Sequence, residues 1–174
     1  AHDFPVNPNG QEVDGVSGIE QSYLTAIQSN AFQLSGPCCY SPILTKAINE
    51  TIIAHNEVMK DPNSDIQYFI LLILTNGQCC EQDKQPTKNL LIYASNNKLP
   101  LSIIIVGIGD NQNFDFLNEL DGDFDPIKDD KGQIAKRDIV QLVAMKDFVK
   151  KVRHELSRDT LREIPIQCVS YVDK

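Results

Sequence analysis

The stretch QYFILLILTNG at residues 67–77 decides the fold of this chain. It is apolar at nearly every position, as in a strand covered on both faces of a parallel sheet, and it ends in Asn76 and Gly77. A second run of this kind, LSIIIVGIGD at residues 101–110, also ends in a loop with glycines. Ligands of open parallel sheets bind just outside the carboxyl ends of the strands. We therefore interpret residues 67–76 as a buried strand and expect a functional surface in the loops after these strands, where the uncharged Asn76 argues against an ordinary enzyme.

The composition excludes several classes of protein. The chain has 174 residues, of which 41% are hydrophobic, and this is enough for one domain with a substantial core. It has no apolar run of the length that a membrane helix needs and no basic-then-apolar leader, so we expect a soluble, cytoplasmic protein. The net charge of -8 opposes binding to nucleic acid, because lysines and arginines must neutralise phosphates there. Five cysteines in a domain of this size fit reduced cytosolic thiols better than a disulfide framework.

Apolar spacing along the rest of the chain predicts helices between the strands. The predicted helices cover residues 16–28, 42–59, 86–97, 114–120 and 147–158, a third strand covers residues 139–143, and a tail at residues 160–174 is expected to dock on the domain. The buried face of the first helix is predicted to consist of Val16, Ile19, Tyr23, Ala26 and Ile27. Strands that alternate with helices form right-handed crossovers, so the predicted fold class is α/β: a doubly wound, mainly parallel sheet with helices on both faces. Such sheets usually have about five or six strands. Because the chain begins with Ala1 rather than Met, we expect the first strand to precede it.

Three blocks of this sequence resemble the C-terminal von Willebrand factor A domain of copines. They are YFILLILTNG at residues 68–77, PLSIIIVGIG at residues 100–109, and LDGD at residues 120–123 together with RDIVQ at residues 137–141. Shorter matches at residues 16–23, 34–43 and 163–167 extend the resemblance over nearly the whole chain. The resemblance implies one Rossmann-like A domain over residues 1–174, incomplete at its N-terminus. It also implies that two C2 domains, which bind phospholipid in response to calcium, precede this domain in a full copine.

The resemblance further implies a metal-ion-dependent adhesion site, in which hydroxyls and a carboxylate from three loops hold magnesium. At two of the family's ligand positions this chain has Cys38 and Asn76. A neutral thiol is a soft ligand, and a carboxamide lacks the charge that offsets the dehydration of magnesium. The family's first ligand motif, Asp-x-Ser/Thr-x-Ser, would lie upstream of Ala1. We therefore expect a degenerate site with no metal or other cofactor in this chain, and calcium only through C2 domains outside it.

Other metal, nucleotide and catalytic motifs are weaker. Neighbouring loops are expected to carry two pairs of adjacent cysteines, Cys38 with Cys39 and Cys79 with Cys80. Directly adjacent cysteines rarely ligate one zinc ion, so we favour free thiols over a zinc site at these positions. The acidic segment at residues 121–132 begins like a calcium loop but lacks its central glycine and its last carboxylate. The GIG at residues 107–109 lacks the third glycine of a dinucleotide loop. The histidines are expected at the N-terminus and on helices, away from the strand ends, so we place no catalytic base.

These observations lead us to interpret the chain as a non-enzymatic protein-interaction module of a copine-like intracellular protein, in the cytoplasm or at the periphery of a membrane or the cytoskeleton. The predicted binding loops are residues 36–40, 76–81 and 110–114, and the predicted contact residues are Cys38, Cys39, Tyr40, Asn76, Gln78, Cys79 and Asp110. The partner is expected to be a protein, with the membrane reached only through C2 domains. Three alternatives stay open: a calcium-dependent phospholipid-binding copine, a structural component of a large cytoskeletal assembly, and the A domain of a RING-type ubiquitin ligase whose zinc module would lie elsewhere.

Overall fold

A computed structural model describes residues 4–7, 9–29, 38–61, 65–110, 113–122, 125–149 and 153–172. The chain divides into two compact units, Ala1–Cys38 and Cys39–Lys174. The first unit contains helix α1 (Gly15–Gln28). The second unit contains, in chain order, α2 (Ser41–Lys60), β1 (Phe69–Thr75), α3 (Glu81–Asn96), β2 (Leu101–Gly107), α4 (Asp115–Asn118), β3 (Val140–Ala144), a 3₁₀ helix (Met145–Phe148), α5 (Arg153–Leu161) and α6 (Ile164–Val172). No helix within these described ranges is both long enough and apolar enough to cross a membrane.

The three strands form a parallel sheet in the order β1-β2-β3. In the register of the sheet, Thr75 lies opposite Gly107, and Gly107 lies opposite Ala144. The carboxyl ends of all three strands therefore meet at one edge. This arrangement confirms the predicted α/β class with a parallel sheet flanked by helices, and it brings the loops after β1 and β2 together.

The main core lies on one face of the sheet, under α2 and α3. Leu44 from α2, Leu91 from α3 and Ile103 from β2 are all buried in one hydrophobic cluster. Each fully buried side chain of this size contributes about 1.5–3 kcal/mol relative to leaving it in water. As predicted from its continuous apolar run, β2 is buried at every residue.

The prediction that residues 67–76 form a strand buried on both faces was wrong in one respect. Side chains alternate between the faces of a strand, and on one face of β1 Ile70, Leu72 and Leu74 are 50%, 55% and 62% exposed. Helix α6 covers β2 on that face, where Ser102 lies opposite Ile70 and donates a hydrogen bond to Gln167. Strand β1 lies at the edge of the described sheet, beside the strand that α6 covers, so this face of β1 is left exposed.

The predicted buried face of α1 was also wrong. Asp14 is the N-cap residue, but Val16, Ile19, Tyr23 and Ile27 are at least half exposed. Ala26 is the residue of this predicted face that is buried. Among the described residues of its unit α1 is the only regular element, so those residues offer no second helix or sheet against which this face could pack.

Three helix boundaries differ from prediction. Helix α3 begins at Glu81, five residues before the predicted start, so that Pro86 lies inside it, where proline cannot donate to the carbonyl four residues earlier. Helix α4 is shorter than predicted, ending at Asn118. The single helix predicted over residues 147–158 is replaced by the 3₁₀ helix and α5. Residues 123–124 of the acidic segment, 150–152 of the predicted last helix and 173–174 of the tail lie outside the described residues.

Helix α6 is held to the sheet by polar contacts centred on Arg137. Its guanidinium donates to Ser170 Oγ at 3.1 Å, to the carbonyl of Gln167 at 2.9 Å and to the carbonyl of Leu99 at 3.2 Å. Beside it the hydroxyl of Tyr68 is hydrogen-bonded to Ser102 at 2.7 Å, and burial raises the pKa of Tyr68. These bonds explain how a short apolar helix stays fixed at the opposite edge of the sheet from the strand-end loops.

Candidate functional site at the strand ends

A buried aromatic ring supports the loops after β1 and β2. Phe114 is 5% exposed and packs against two glycines, Gly77 and Gly107. A Cβ atom added to Gly77 would lie 2.5 Å from the ring, and one added to Gly107 would lie 2.7 Å from it. Gly77 also has a φ of +88°, a conformation that residues with a side chain rarely adopt. Both glycines are therefore required by the close approach of this ring. The sequence placed Phe114 at the end of a predicted binding loop but did not show that it supports the loops from beneath.

A hydrogen-bonded pair ties the start of α2 to the end of β1. The hydroxyl of Tyr40 lies 2.7 Å from Oγ1 of Thr75, the last residue of β1. The backbone N–H of Gly77 also donates to this Oγ1, at 3.1 Å. Tyr40 was predicted as a partner contact, but its side chain is 4% exposed, so here it fixes the loop from beneath.

The carboxylate of Asp83 joins the N-termini of α2 and α3. It accepts hydrogen bonds from the backbone N–H of Tyr40 at 2.5 Å and of Ser41 at 3.0 Å. The hydroxyls of Ser41 and Thr87 also donate to it. Asp83 is buried, and a buried charge with this many donors caps α2 from a neighbouring helix. We call this arrangement the Asp83 clamp.

The exposed surface above this framework contains several of the predicted contact residues. Asn76, Gln78 and Asp110 are exposed, and Cys79 is half-buried. We call these four residues the strand-end surface. Cys39 is half-buried next to the clamp, and Cys38 is exposed within the first unit. Residues 36–37 and 111–112 of the predicted binding loops lie outside the described residues.

The side chains at the end of β1 differ from the ligands that magnesium prefers. Asn76 offers a neutral carboxamide whose Oδ1 already accepts the N–H of Gln78 at 3.3 Å, and the Oγ1 of Thr75 is hydrogen-bonded to the hydroxyl of Tyr40 and to the N–H of Gly77. Magnesium prefers carboxylate and water ligands in strict octahedral geometry. Among the described residues, one group of acidic side chains is close enough to share an ion, but it lies elsewhere: Asp121, Asp138 and Glu163.

That acidic group is positioned by the body of β3 rather than by its carboxyl end. The carboxylate of Asp121 accepts the N–H of Leu142 at 3.0 Å, and that of Asp138 accepts the N–H of Val140 at 3.1 Å. Val140 is the first residue of β3, whereas Ala144 is the residue in line with Gly107 and Thr75. The group is therefore separate from the strand-end surface.

Open clefts of mixed charge border the strand-end surface. One, of about 520 Å³, is lined by Gln78, Cys79, Lys84, Asp115 and Glu119, among others. Lys84 pairs with Glu81 at 2.7 Å, and this hydrogen bond raises the pKa of Lys84. Asp115 also borders two further clefts, of about 310 and 640 Å³. Wide clefts with polar, charged walls suit contact with another macromolecule better than enclosure of a small apolar ligand.

The described histidine on α2 lies away from this edge, as predicted. His55 on α2 places Nδ1 3.4 Å from the hydroxyl of Tyr171 on α6, and the two rings meet edge to face. His154 is exposed on α5. The contact of His55 with α6 is a helix-packing contact.

The parallel sheet and its polar strand-end loops define the class of this chain, a Rossmann-like α/β domain with its candidate surface at the carboxyl edge. The family profile named Copine matches residues 1–174, and the chain belongs to the copine family. Copine-C of Dictyostelium discoideum is 36% identical over 98% of this chain and 30% of its own length. Copine-A of the same organism is 38% identical over 100% of this chain and 27% of its own length. The chain thus spans less than a third of these relatives.

Proposed function

We propose that this chain is a non-enzymatic protein-interaction domain of a copine-type protein, and that the strand-end surface binds the protein partner. The observation that carries the proposal is a rigid framework beneath exposed polar groups. Phe114, Thr75 and the Asp83 clamp hold the loops from below, while Asn76 and Gln78 face solvent above them. A surface fixed before binding loses little conformational entropy when a partner arrives.

The proposed binding does not require a divalent cation. Asn76 supplies no negative charge at the position where the family resemblance implies an acid, and its oxygen is already part of a turn. The clefts beside it contain both lysines and acids, so the partner surface is expected to carry both signs of charge. We therefore propose that complementarity of shape and hydrogen bonds, rather than a shared metal ion, provides the affinity.

Family membership supports a second candidate. The relatives are named copines and are more than three times as long as this chain, so the domain could serve a calcium-dependent, phospholipid-binding protein through C2 domains outside residues 1–174. In that case we propose a cytoplasmic location next to a membrane or the cytoskeleton. The strand-end surface would then select the protein that is brought to the membrane.

Site-specific photo-crosslinking tests the proposal. A photoreactive amino acid is placed at Gln78 in the strand-end surface or, as a control, at Lys136, which is exposed near the start of β3. Crosslinks to a protein are expected from position 78 and not from position 136. The crosslinked protein, once purified, is expected to bind the Gln78→Ala, Asp110→Ala variant at least about tenfold more weakly, as for loss of a central contact. Equal crosslinking from both positions, or unchanged affinity of the variant, would contradict the proposal.

A further inference from the structure

Two thiols from distant parts of the sequence lie side by side beneath the strand-end surface. Cys39 precedes α2 and Cys80 is the N-cap residue of α3, and their Sγ atoms are 3.3 Å apart. Both residues are half-buried, so each keeps part of its surface exposed to solvent. We propose that Cys39 and Cys80 form a reversible disulfide when the chain meets a small-molecule disulfide such as oxidised glutathione.

The 3.3 Å distance between the two Sγ atoms is already short enough for disulfide formation. A near-attack geometry places such atoms about 3–3.5 Å apart, and the finished bond is about 2.05 Å long. The Asp83 clamp maintains this separation, because it binds the backbone of Tyr40 and Ser41 to the first turn of α3. Cys39 is the residue before Tyr40, and Cys80 directly precedes that turn. The buried carboxylate therefore holds both thiols in position through the backbone.

The competing pairs within each cysteine doublet are disfavoured. Consecutive Cα atoms across a trans peptide are about 3.8 Å apart, whereas disulfides span about 4.4–6.8 Å. A bond between Cys79 and Cys80 would therefore strain the backbone at the start of α3. The pair that crosses between the two helices does not carry this constraint.

The reaction balances as an ordinary thiol–disulfide exchange. The thiolate of one cysteine attacks a sulfur of oxidised glutathione, forming a mixed disulfide and releasing one glutathione thiolate. The thiolate of the second cysteine attacks the protein sulfur of the mixed disulfide and releases the other glutathione. The two protein thiols lose two electrons and two protons, and the oxidant becomes two molecules of reduced glutathione. An excess of reduced glutathione reverses both steps.

The bond would tie Cys39, two residues before α2, to the segment at residues 76–80 that carries Asn76 and Gln78. We infer that oxidation locks this segment and changes the affinity for the partner. This consequence rests on the proposed function, whereas the disulfide itself does not. The two can therefore fail separately.

The test uses two variants with equal numbers of cysteines. One variant, Cys38→Ser with Cys79→Ser, keeps the proposed pair, and the reciprocal variant, Cys39→Ser with Cys80→Ser, removes it. Each reduced chain is incubated in glutathione buffers of increasing oxidised fraction, quenched with an alkylating agent and digested with trypsin. The digest is analysed by mass spectrometry for a disulfide joining the peptides at residues 1–46 and 61–84, which contain the two doublets.

The first variant is expected to give the linked peptides in at least roughly tenfold greater yield than the second, as expected for preoriented groups. Reducing agent should reverse the link. Equal yields from both variants, or glutathione adducts without an intramolecular bond, would overturn the proposal. Fragmentation of the linked peptides from the unsubstituted chain gives a second measurement, since it identifies the bonded cysteines without any substitution. A bond within either doublet in that experiment would also overturn it.

Discussion

Replacement of Asp83 tests how the strand-end framework is stabilised. Asp83→Ala removes a buried carboxylate that accepts bonds from the backbone of Tyr40 and Ser41 and from the hydroxyls of Ser41 and Thr87. Loss of an N-cap costs about 0.5–2 kcal/mol, and a hydrogen bond to a charged group contributes about 1.5–3 kcal/mol. Because the four bonds share one acceptor group and are not additive, we expect the free energy of unfolding to fall by about 3 kcal/mol.

The assay is urea denaturation followed by far-ultraviolet circular dichroism, since the chain contains no tryptophan. The expected loss corresponds to a fall in Tm of about 6–12 °C for a chain of this size. Asp83→Asn keeps one acceptor oxygen but not the charge, so about half of the loss is expected. Glu81→Ala is the matched control, because Glu81 lies in the same first turn but is exposed, and its pair with Lys84 is a surface ion pair. It should change the free energy of unfolding by less than about 0.5 kcal/mol. If Asp83→Ala destabilises the chain no more than Glu81→Ala, the clamp does not hold α2 and α3 together.

Three further predictions concern the residues beneath the strand-end surface and those at the opposite edge of the sheet. Gly77→Ala should lower the free energy of unfolding by about 2–4 kcal/mol, because it adds a clash with Phe114 to an unfavourable φ. Gly132 also has a positive φ but has open space around it, so Gly132→Ala should lower the free energy of unfolding by only about 1 kcal/mol. Equal losses for the two variants in urea denaturation would show that the ring does not require Gly77. Arg137→Ala should speed hydrogen exchange at the amides of α6 while leaving exchange in α3 unchanged. The reason is that the variant loses the three hydrogen bonds of the Arg137 guanidinium, two of which go to α6. Unchanged exchange in α6 would show that Arg137 does not hold this helix. Burial raises the pKa of Tyr68 above its ordinary value of 10.0, so its contribution to stability is present below that pH and is lost as the pH rises through the folded pKa. Tyr68→Phe should therefore flatten the fall in stability above pH 10, and identical alkaline profiles would count against the burial effect.

The apolar runs predicted the strands well but not their exposure. Strand β2 lies between two neighbours and under helices, so its continuous apolar sequence corresponds to burial on both faces. Strand β1 has the same pattern but an edge position, and Leu72 and Leu74 are exposed. Local sequence shows which residues avoid water, whereas sheet order, which depends on distant residues, decides which of them are covered.

The framework of the candidate surface was harder to predict than its location. The strand-end loops follow from the rule for parallel sheets, and the sequence predicted Asn76 and Gln78 as contact residues in this way. The bond from Tyr40 to Asp83 joins residues 43 positions apart, and the contact of Cys39 with Cys80 spans 41 positions. Periodicities of 2 or 3.6 residues predict strands and helices but not contacts between residues so far apart in the chain, so these two contacts could be identified only from the folded structure.

Affinity for the crosslinked partner in the presence and absence of a divalent cation tests the proposed function most directly. The purified chain is titrated with that partner by calorimetry, once in excess chelator and once in millimolar magnesium. We predict dissociation constants that agree within about twofold, and a weaker affinity for Asn76→Ala under both conditions, because Asn76 would act through its amide and not through an ion. Binding that appears only with magnesium, and that Asn76→Ala abolishes, would contradict the account.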